Sequence, residues 1–155
     1  MAIYYFDSSA IVKRYIAESG TNWVRALHMD DATEVIYTVN ISQVEVMAAI
    51  TRKRRMRAIS GSAWEKSTDQ LRQDFHKHYG VIAVSDAILV KALDLTLNHP
   101  LRAYDAMQLA SALFISQALK QFSLDNFIFV SADGNLNTSA QIEGLTVENP
   151  NDHPK

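Results

Sequence analysis

The chain has 155 residues, of which 48% are hydrophobic and 21% are charged, a length and composition typical of one globular domain. Its formal net charge of −2 removes overall positive charge as an argument for nucleic-acid binding, so any such function must rest on particular sites. The sequence has no cysteine, which excludes a disulfide scaffold, a cysteine nucleophile and a thiolate zinc site.

The sequence predicts a cytoplasmic protein that does not enter a membrane. Its start lacks the basic residues and the long apolar run of a secretory signal. The most apolar stretch, residues 106–119, is interrupted by polar side chains and falls short of the roughly 20 residues that a membrane span requires. We expect residues 1–148 to form one domain, and residues 149–155, which include two prolines, to form a frayed tail.

Short apolar runs alternate with helical patterns from one end of the chain to the other. The apolar runs, rich in β-branched and aromatic residues, predict strands at residues 3–6, 34–39, 81–84, 127–130 and 145–147. Apolar residues at helical spacing predict helices near residues 8–16, 23–27, 42–57, 64–79, 86–97 and 103–122. Gly80 is predicted to stop the fourth of these helices, and Gly144 to close a short helix after Asn135.

This alternation predicts an α/β fold. Strands that are separated by helices pair in parallel, and a parallel sheet is covered by helices on both faces. We therefore expect three layers, with a mainly parallel sheet of four to five strands in the middle.

Two aspartates follow predicted strands. Asp7 comes directly after the first strand, and Asp133 comes three residues after the fourth. In a parallel sheet, binding sites form beyond the carboxyl ends of the strands. Each aspartate taken singly is also explained as the cap of the helix that follows it.

A third acid, Asp105, lies within the apolar stripe of a predicted helix. Its neighbours on the same helix face include Leu101, Leu109 and Ala112, so its carboxylate is predicted to point inward. A buried carboxylate is costly unless it is paired or bound to a metal. The alternative is a simple salt bridge with Arg102, three residues earlier.

The fourth acid, Glu45, has small and apolar neighbours on its helix face, among them Ile41 and Ala48. Something could therefore approach this carboxylate closely. The alternative is structural, because residues 42–45 match a capping box in which Ser42 and Glu45 satisfy the first amides of the helix.

Together the four acids indicate a metal site. If Asp7, Glu45, Asp105 and Asp133 converge, four like charges share one pocket and cannot all stay ionised without a cation. Carboxylate oxygens without cysteine favour a hard cation, Mg²⁺ or Mn²⁺, over zinc.

The sequence resembles the PIN-domain ribonucleases, and among them the VapC-type toxins of bacterial toxin–antitoxin pairs. The resemblance spans nearly the whole chain and is carried, in the family's order and spacing, by the segments YYFDSSAIVKRYIAE, SQVEVMAAI, LRAYDAMQLASAL and FIFVSADGNLNTSAQIEGL. The last segment departs from the pattern, since many members have a threonine before Asp133 and a basic residue after it.

The resemblance implies a fold, an activity and a set of site residues. The fold is a PIN-like three-layer sandwich, and the activity is Mg²⁺- or Mn²⁺-dependent cleavage of RNA by a homodimer that a cognate antitoxin blocks. The residues that match the family's acidic metal-binding set are Asp7, Glu45, Asp105 and Asp133. Ser9 matches the small hydroxyl residue that assists the first aspartate.

An acidic pocket repels RNA, so we expect cationic side chains to hold the neighbouring phosphates. The candidates for contact with RNA or with an antitoxin are Lys13, Arg14, Arg52, Arg55 and Arg102. For the arginines near residue 52 the alternative is a solvated helix end, where positive charge complements the helix dipole.

Other function classes fit the residues less well. Phosphoaspartyl phosphatases place a second aspartate two residues after the first, where this chain has Ser9, and receiver domains need an acidic pair that it lacks. A PIN-like binding module without activity is the main alternative, favoured by the altered last segment and opposed by Asp7, Glu45 and Asp105.

Overall fold

The fold is built on one parallel sheet of five strands. The computed structural model describes residues 1–29 and 32–155. The strands are β1 (Ile3–Phe6), β2 (Val35–Val39), β3 (Tyr79–Ile82), β4 (Phe127–Val130) and β5 (Thr146–Glu148). They lie in the order β3-β2-β1-β4-β5, and every neighbouring pair is parallel. The predicted α/β architecture is confirmed, with β1 at the centre.

The helices cover both faces of this sheet. They are α1 (Ser8–Tyr15), α2 (Thr21–Ala26), α3 (Ile41–Arg55), α4 (Gly61–Lys77), α5 (Asp86–Asn98), α6 (Ala103–Lys120) and α7 (Gly134–Ile142). In the part of the chain that the structure describes, no helix is both long and apolar enough to cross a membrane.

Alternate side chains of β1 belong to two different cores. Ile3 and Tyr5 pack with residues of α5, α6 and α7 on one face, whereas Phe6 packs with residues of α1, α3 and α4 on the other. This is the consequence of the two-residue period of a strand that is buried on both faces. The result is the expected three layers.

The register of β1 and β4 brings two chain segments together at the carboxyl edge of the sheet. Phe6 pairs with Val130, and the Asp7 amide donates to the Val130 carbonyl at 3.1 Å. Asp7 and Ser131, 124 positions apart in the chain, therefore leave the sheet side by side.

The prediction that Gly80 stops a helix is wrong. The helix ends at Lys77, and Gly80 lies inside β3, paired with Tyr37 of β2. A Cβ atom at this position would lie 2.6 Å from the Tyr37 ring, so the glycine is needed because a neighbouring side chain passes over it.

Residues 149–155, predicted as a frayed tail, include a short folded element. Residues Pro150–Asp152 form a 3-10 helix, and Pro150 is buried against Gly20. Gly20 has a φ of 85°, and a Cβ there would meet the Pro150 carbonyl at 2.3 Å. The His153 ring stacks on Trp23 at a centroid distance of 4.6 Å and contacts Glu148 at 2.7 Å, which holds the tail against the body of the protein.

Candidate active site

A cavity of about 880 Å³ opens beyond the carboxyl ends of β1 and β4. Three of the four predicted acids line it: Glu45 from α3, Asp105 from α6 and Asp133 from the turn before α7. Ser8 and Ser9, at the start of α1, complete its inner wall. The topology thus brings together acids that are far apart in the sequence.

Asp7 lies behind this wall and is only 3% exposed. It caps α1, because its Oδ1 accepts from the Ala10 amide at 2.9 Å and from Ser9 Oγ at 2.7 Å, while its Oδ2 accepts from Ser131 Oγ at 2.7 Å. Burial, and to a smaller extent the charge of Glu45, raises the pKa of Asp7 to about 6, although these hydrogen bonds act in the opposite direction. The helix cap and the predicted site residue are therefore the same side chain.

Two serines hold Asp7 in place and join the loops after β1 and β4. Ser9 Oγ accepts from the Ala132 amide at 2.9 Å, and Ser131 Oγ accepts from the Asp133 amide at 3.0 Å. Ser9, expected beside the first aspartate, lies within hydrogen-bonding distance of it. Sequence reasoning missed Ser131, for which the available signal was its position directly after a strand.

The carboxylate of Glu45 is held by two partners from other helices. Its Oε1 accepts from Gln108 Nε2 at 2.9 Å, and its Oε2 accepts from Ser8 Oγ at 2.8 Å. The helix begins at Ile41, and the hydroxyl of Ser42 contacts Thr38 and Gln108. The capping-box interpretation of Glu45 is therefore wrong.

Gln108 is a second residue that sequence reasoning missed. It is 1% exposed, its amide nitrogen donates to Glu45 and to Ser42 Oγ, and its carbonyl accepts from Tyr5 OH at 2.7 Å. Because Tyr5 donates to the carbonyl oxygen, the amide nitrogen must face Glu45. The available signal was a polar residue in an apolar helix, one turn after Asp105.

Asp105 lies half-buried in the first turn of α6 and faces the cavity. Burial raises its pKa, and the charge of Asp133 raises it further. Arg102 acts to lower the pKa of Asp105 but offsets only part of this rise. Its guanidinium forms no ion pair with Asp105 within 4.0 Å. The salt-bridge interpretation of Asp105 therefore fails.

Asp133 caps α7 with a single oxygen. Its Oδ1 accepts from the Asn135 amide at 2.9 Å and from the Leu136 amide at 3.2 Å. The carboxylate is half-buried and lines the cavity with Asp105. As with Asp7, the capping role and a position at the site belong to one side chain.

The chemistry of these donors fits a hard divalent cation. The like charges repel one another, since Glu45 raises the pKa of Asp7 and Asp133 raises that of Asp105, and a cation between them would offset this repulsion. Among residues 1–29 and 32–155, however, no three histidine, aspartate or glutamate side chains stand close enough together to form a ready metal cage.

The predicted cationic contacts divide into two groups. Arg52 and Arg102 line the cavity, and Arg55 is exposed one turn beyond Arg52. Lys13 is 4% exposed, and its Nζ donates to the Ser19 carbonyl at 2.8 Å.

Arg14 also points away from the site. Its Nε and Nη2 donate to the two carboxylate oxygens of buried Asp74, at 2.6 Å and 3.2 Å. Lys13 and Arg14, two of the predicted contacts for RNA or an antitoxin, therefore do not line the cavity, and both side chains are held by partners within the fold.

The comparisons with known proteins give one family match and several solved structures of similar fold. The model of the PIN domain family matches residues 4–135, and no curated protein matches. Among solved structures, FitAcB from Neisseria gonorrhoeae has a TM-score of 0.61 and 15% identity, covering 95% of this chain and 97% of that one. VapBC2 from Rickettsia felis, bound to a fragment of its promoter DNA, has a TM-score of 0.58 and 14% identity, covering 95% and 98%.

VapC20 from Mycobacterium tuberculosis, a toxin that cleaves the sarcin–ricin loop, has a TM-score of 0.60 and 14% identity, covering 92% of this chain and 96% of that one. At such identities the likeness concerns the fold. The family match spans most of the chain and includes the segments around Asp7, Glu45, Asp105 and Asp133. The chain belongs to the PIN domain family.

Proposed function

We propose that this protein is a metal-dependent endoribonuclease that hydrolyses RNA phosphodiester bonds, and that it is the toxin of a toxin–antitoxin pair. The observation that carries the proposal is the convergence of Glu45, Asp105 and Asp133 on one open cavity of a PIN fold, in front of buried Asp7. A cluster of carboxylates would bind a divalent cation, and the cation would in turn hold a phosphate in the same cavity.

The cation would be Mg²⁺ or Mn²⁺. Glu45, Asp105 and Asp133 would hold it from the cavity, and Asp7 would support it from the buried side. When bound, such an ion lowers the pKa of a water and stabilises negative charge that develops on a phosphate.

The side chains around the acids prepare them for this task. Gln108 and Ser8 each bind one oxygen of Glu45, which limits the rotation of the carboxylate. Ser9 and Ser131 orient Asp7 in the same way. Arg102 places positive charge on the rim of the cavity, where a phosphate of the substrate would enter.

The test is cleavage of total RNA by the purified protein with Mg²⁺ or Mn²⁺, with and without EDTA. Asp105→Asn keeps the shape of the side chain and removes its charge, so we expect cutting to fall by at least about a hundredfold while the fold is retained. Asp94→Asn, on the exposed face of α5, is the matched control and should cut like the parent protein.

Cutting that survives EDTA, or that Asp105→Asn leaves unchanged, would contradict the proposal. Absence of cutting with either metal would favour the alternative, an inactive PIN-like binding module. The observation behind this alternative is that the acids of the described chain do not form a ready metal cage.

The proposal includes two protein partners, a cognate antitoxin and a second copy of the chain. The antitoxin is supported by the fold shared with a toxin–antitoxin complex from Klebsiella pneumoniae, at a TM-score of 0.57 and 16% identity. We expect growth arrest on expression of this chain, relieved by co-expression of the protein encoded beside it. Sedimentation of the purified protein should give the mass of a homodimer, and a monomer at all concentrations would contradict that part.

A further inference from the structure

The acidic cavity continues along the outer side of α3. A second cavity, of about 600 Å³, shares Val44, Ala48 and Arg52 with the first and extends past Met47 to Arg55. Val44 is 71% exposed, so the floor between the two cavities is apolar and open. We call the two cavities together the α3 trough.

Charge changes sign along this trough. Glu45, Ala48, Arg52 and Arg55 are spaced by three, four and three residues, which places them along one face of the helix. At the rise of an α-helix, Arg52 and Arg55 lie about 10 Å and 15 Å along the axis from Glu45. The acids thus stand at one end of the trough and the cations at the other, with a small side chain between them.

The cationic end is open to a ligand. Arg52 and Arg55 are exposed, and within residues 1–29 and 32–155 neither guanidinium forms an ion pair or a side-chain hydrogen bond. On the acidic side, Tyr104 lines the first cavity beside Asp105 and is 62% exposed. Guanidinium groups together with an exposed aromatic ring form the usual surface for single-stranded nucleic acid, which binds through phosphates and stacked bases.

We propose that the α3 trough binds the single-stranded RNA that flanks the cut site. Arg52 and Arg55 hold phosphates on one side of the scissile bond, and the Tyr104 ring supports a base near the acids. The role of the trough in cleavage rests on the proposed nuclease function. Continuity of the trough with the acidic cavity favours RNA over a protein segment, because a strand held by the arginines leads its next phosphates to Glu45 and Asp105.

The test measures binding without cutting. In an Asp105→Asn background with EDTA, the affinity for a short single-stranded RNA oligonucleotide is measured between about 50 and 200 mM salt. Replacing both arginines (Arg52→Gln with Arg55→Gln) should weaken binding on the order of tenfold at the lowest salt. It should also reduce the slope of log affinity against log salt by about 1.4, since each phosphate contact on a single strand contributes about 0.7.

Two further variants separate the possible causes. Tyr104→Leu should weaken binding about fivefold or more without changing the salt slope, because stacking involves no charge. Lys53→Gln removes one positive charge from the same helix end but lines neither cavity, so it should leave affinity and slope close to those of the parent. It shows how far the loss of a charge at this helix end, outside the trough, changes RNA binding.

Each result decides one question. If the double arginine variant has the slope of Lys53→Gln, the inference is overturned. It is also overturned if that variant binds RNA normally but loses the antitoxin, since the trough would then dock a protein. If the slope falls as expected and the parent protein still cuts no RNA with Mg²⁺ or Mn²⁺, the RNA surface stands and the nuclease proposal fails.

Discussion

The buried amide of Gln108 binds both Glu45 at the site and Tyr5 in the core, so its removal should lower the stability of the protein and its activity. Gln108→Leu removes the donor to Glu45 and Ser42 and the acceptor for Tyr5 OH, and replaces the amide by an apolar side chain of similar size. Tyr5 is 0% exposed, so its hydroxyl loses this partner where water does not reach it. An unsatisfied buried polar group costs about 1–3 kcal/mol.

From this we expect Gln108→Leu to lower the free energy of unfolding by about 2–3 kcal/mol. Ser111 lies near the Tyr5 hydroxyl and can partly replace the lost partner, which keeps the value below the sum of the three lost bonds. Tyr5→Phe alone should cost about 1–2 kcal/mol, because it leaves the Gln108 carbonyl without its donor.

The double variant tests the reasoning. Since replacing both partners of a buried hydrogen bond by apolar groups removes the unsatisfied atoms, we expect the double variant to be more stable than the sum of the single effects by about 1 kcal/mol. The assay is urea unfolding of the two single variants and the double variant. Gln117→Leu, an exposed position on the same helix, is the matched control and should stay within about 0.5 kcal/mol of the parent.

The same variant reports on the site. Without Gln108, Glu45 keeps only Ser8 as a hydrogen-bond partner. RNA cutting by Gln108→Leu should therefore fall about 10- to 100-fold, as when other residues that hydrogen-bond to metal ligands are replaced. Strictly additive stabilities in the cycle, together with unchanged cutting, would refute the role of Gln108.

Two more predictions concern the buried network on the other face of the sheet, where Asp74 accepts from Arg14, Tyr15 and Gln70. Asp74→Ala leaves Arg14 without its carboxylate, and urea unfolding should show a loss of about 3 kcal/mol; a loss below about 1 kcal/mol would show that water replaces the pair. Burial lowers the pKa of His28 to about 4, so the unfolded chain binds the proton more tightly, and the contribution of His28 to stability should fall by roughly 3 kcal/mol as pH drops from about 6.5 to 4. The raised pKa of Asp7 acts in the opposite direction over this range, so the measurement is the difference in stability between the parent and His28→Gln. Parallel pH profiles for parent and variant would disprove the assignment.

The sequence by itself determined the fold class and the main acids of the candidate site. The strands at residues 3–6 and 127–130 coincide with β1 and β4, because a short apolar run between capping residues is a local signal. Asp7 and Asp133 were identifiable for the same reason, as polar residues that follow buried strands. The all-parallel order then follows from the alternation of strands with helices.

Only the tertiary structure decided which partner each polar side chain has. Lys13 and Arg14 look like free cations in the sequence, yet one is buried and the other binds Asp74, 60 positions away. Gly80 has the local signature of a helix stop and is instead the place where the Tyr37 ring crosses a strand. Gln108 meets Glu45 from 63 positions away. Periodicity and capping depend on near neighbours and are written in the local sequence. The satisfaction of a buried charge or amide depends on distant segments that packing brings into hydrogen-bonding distance.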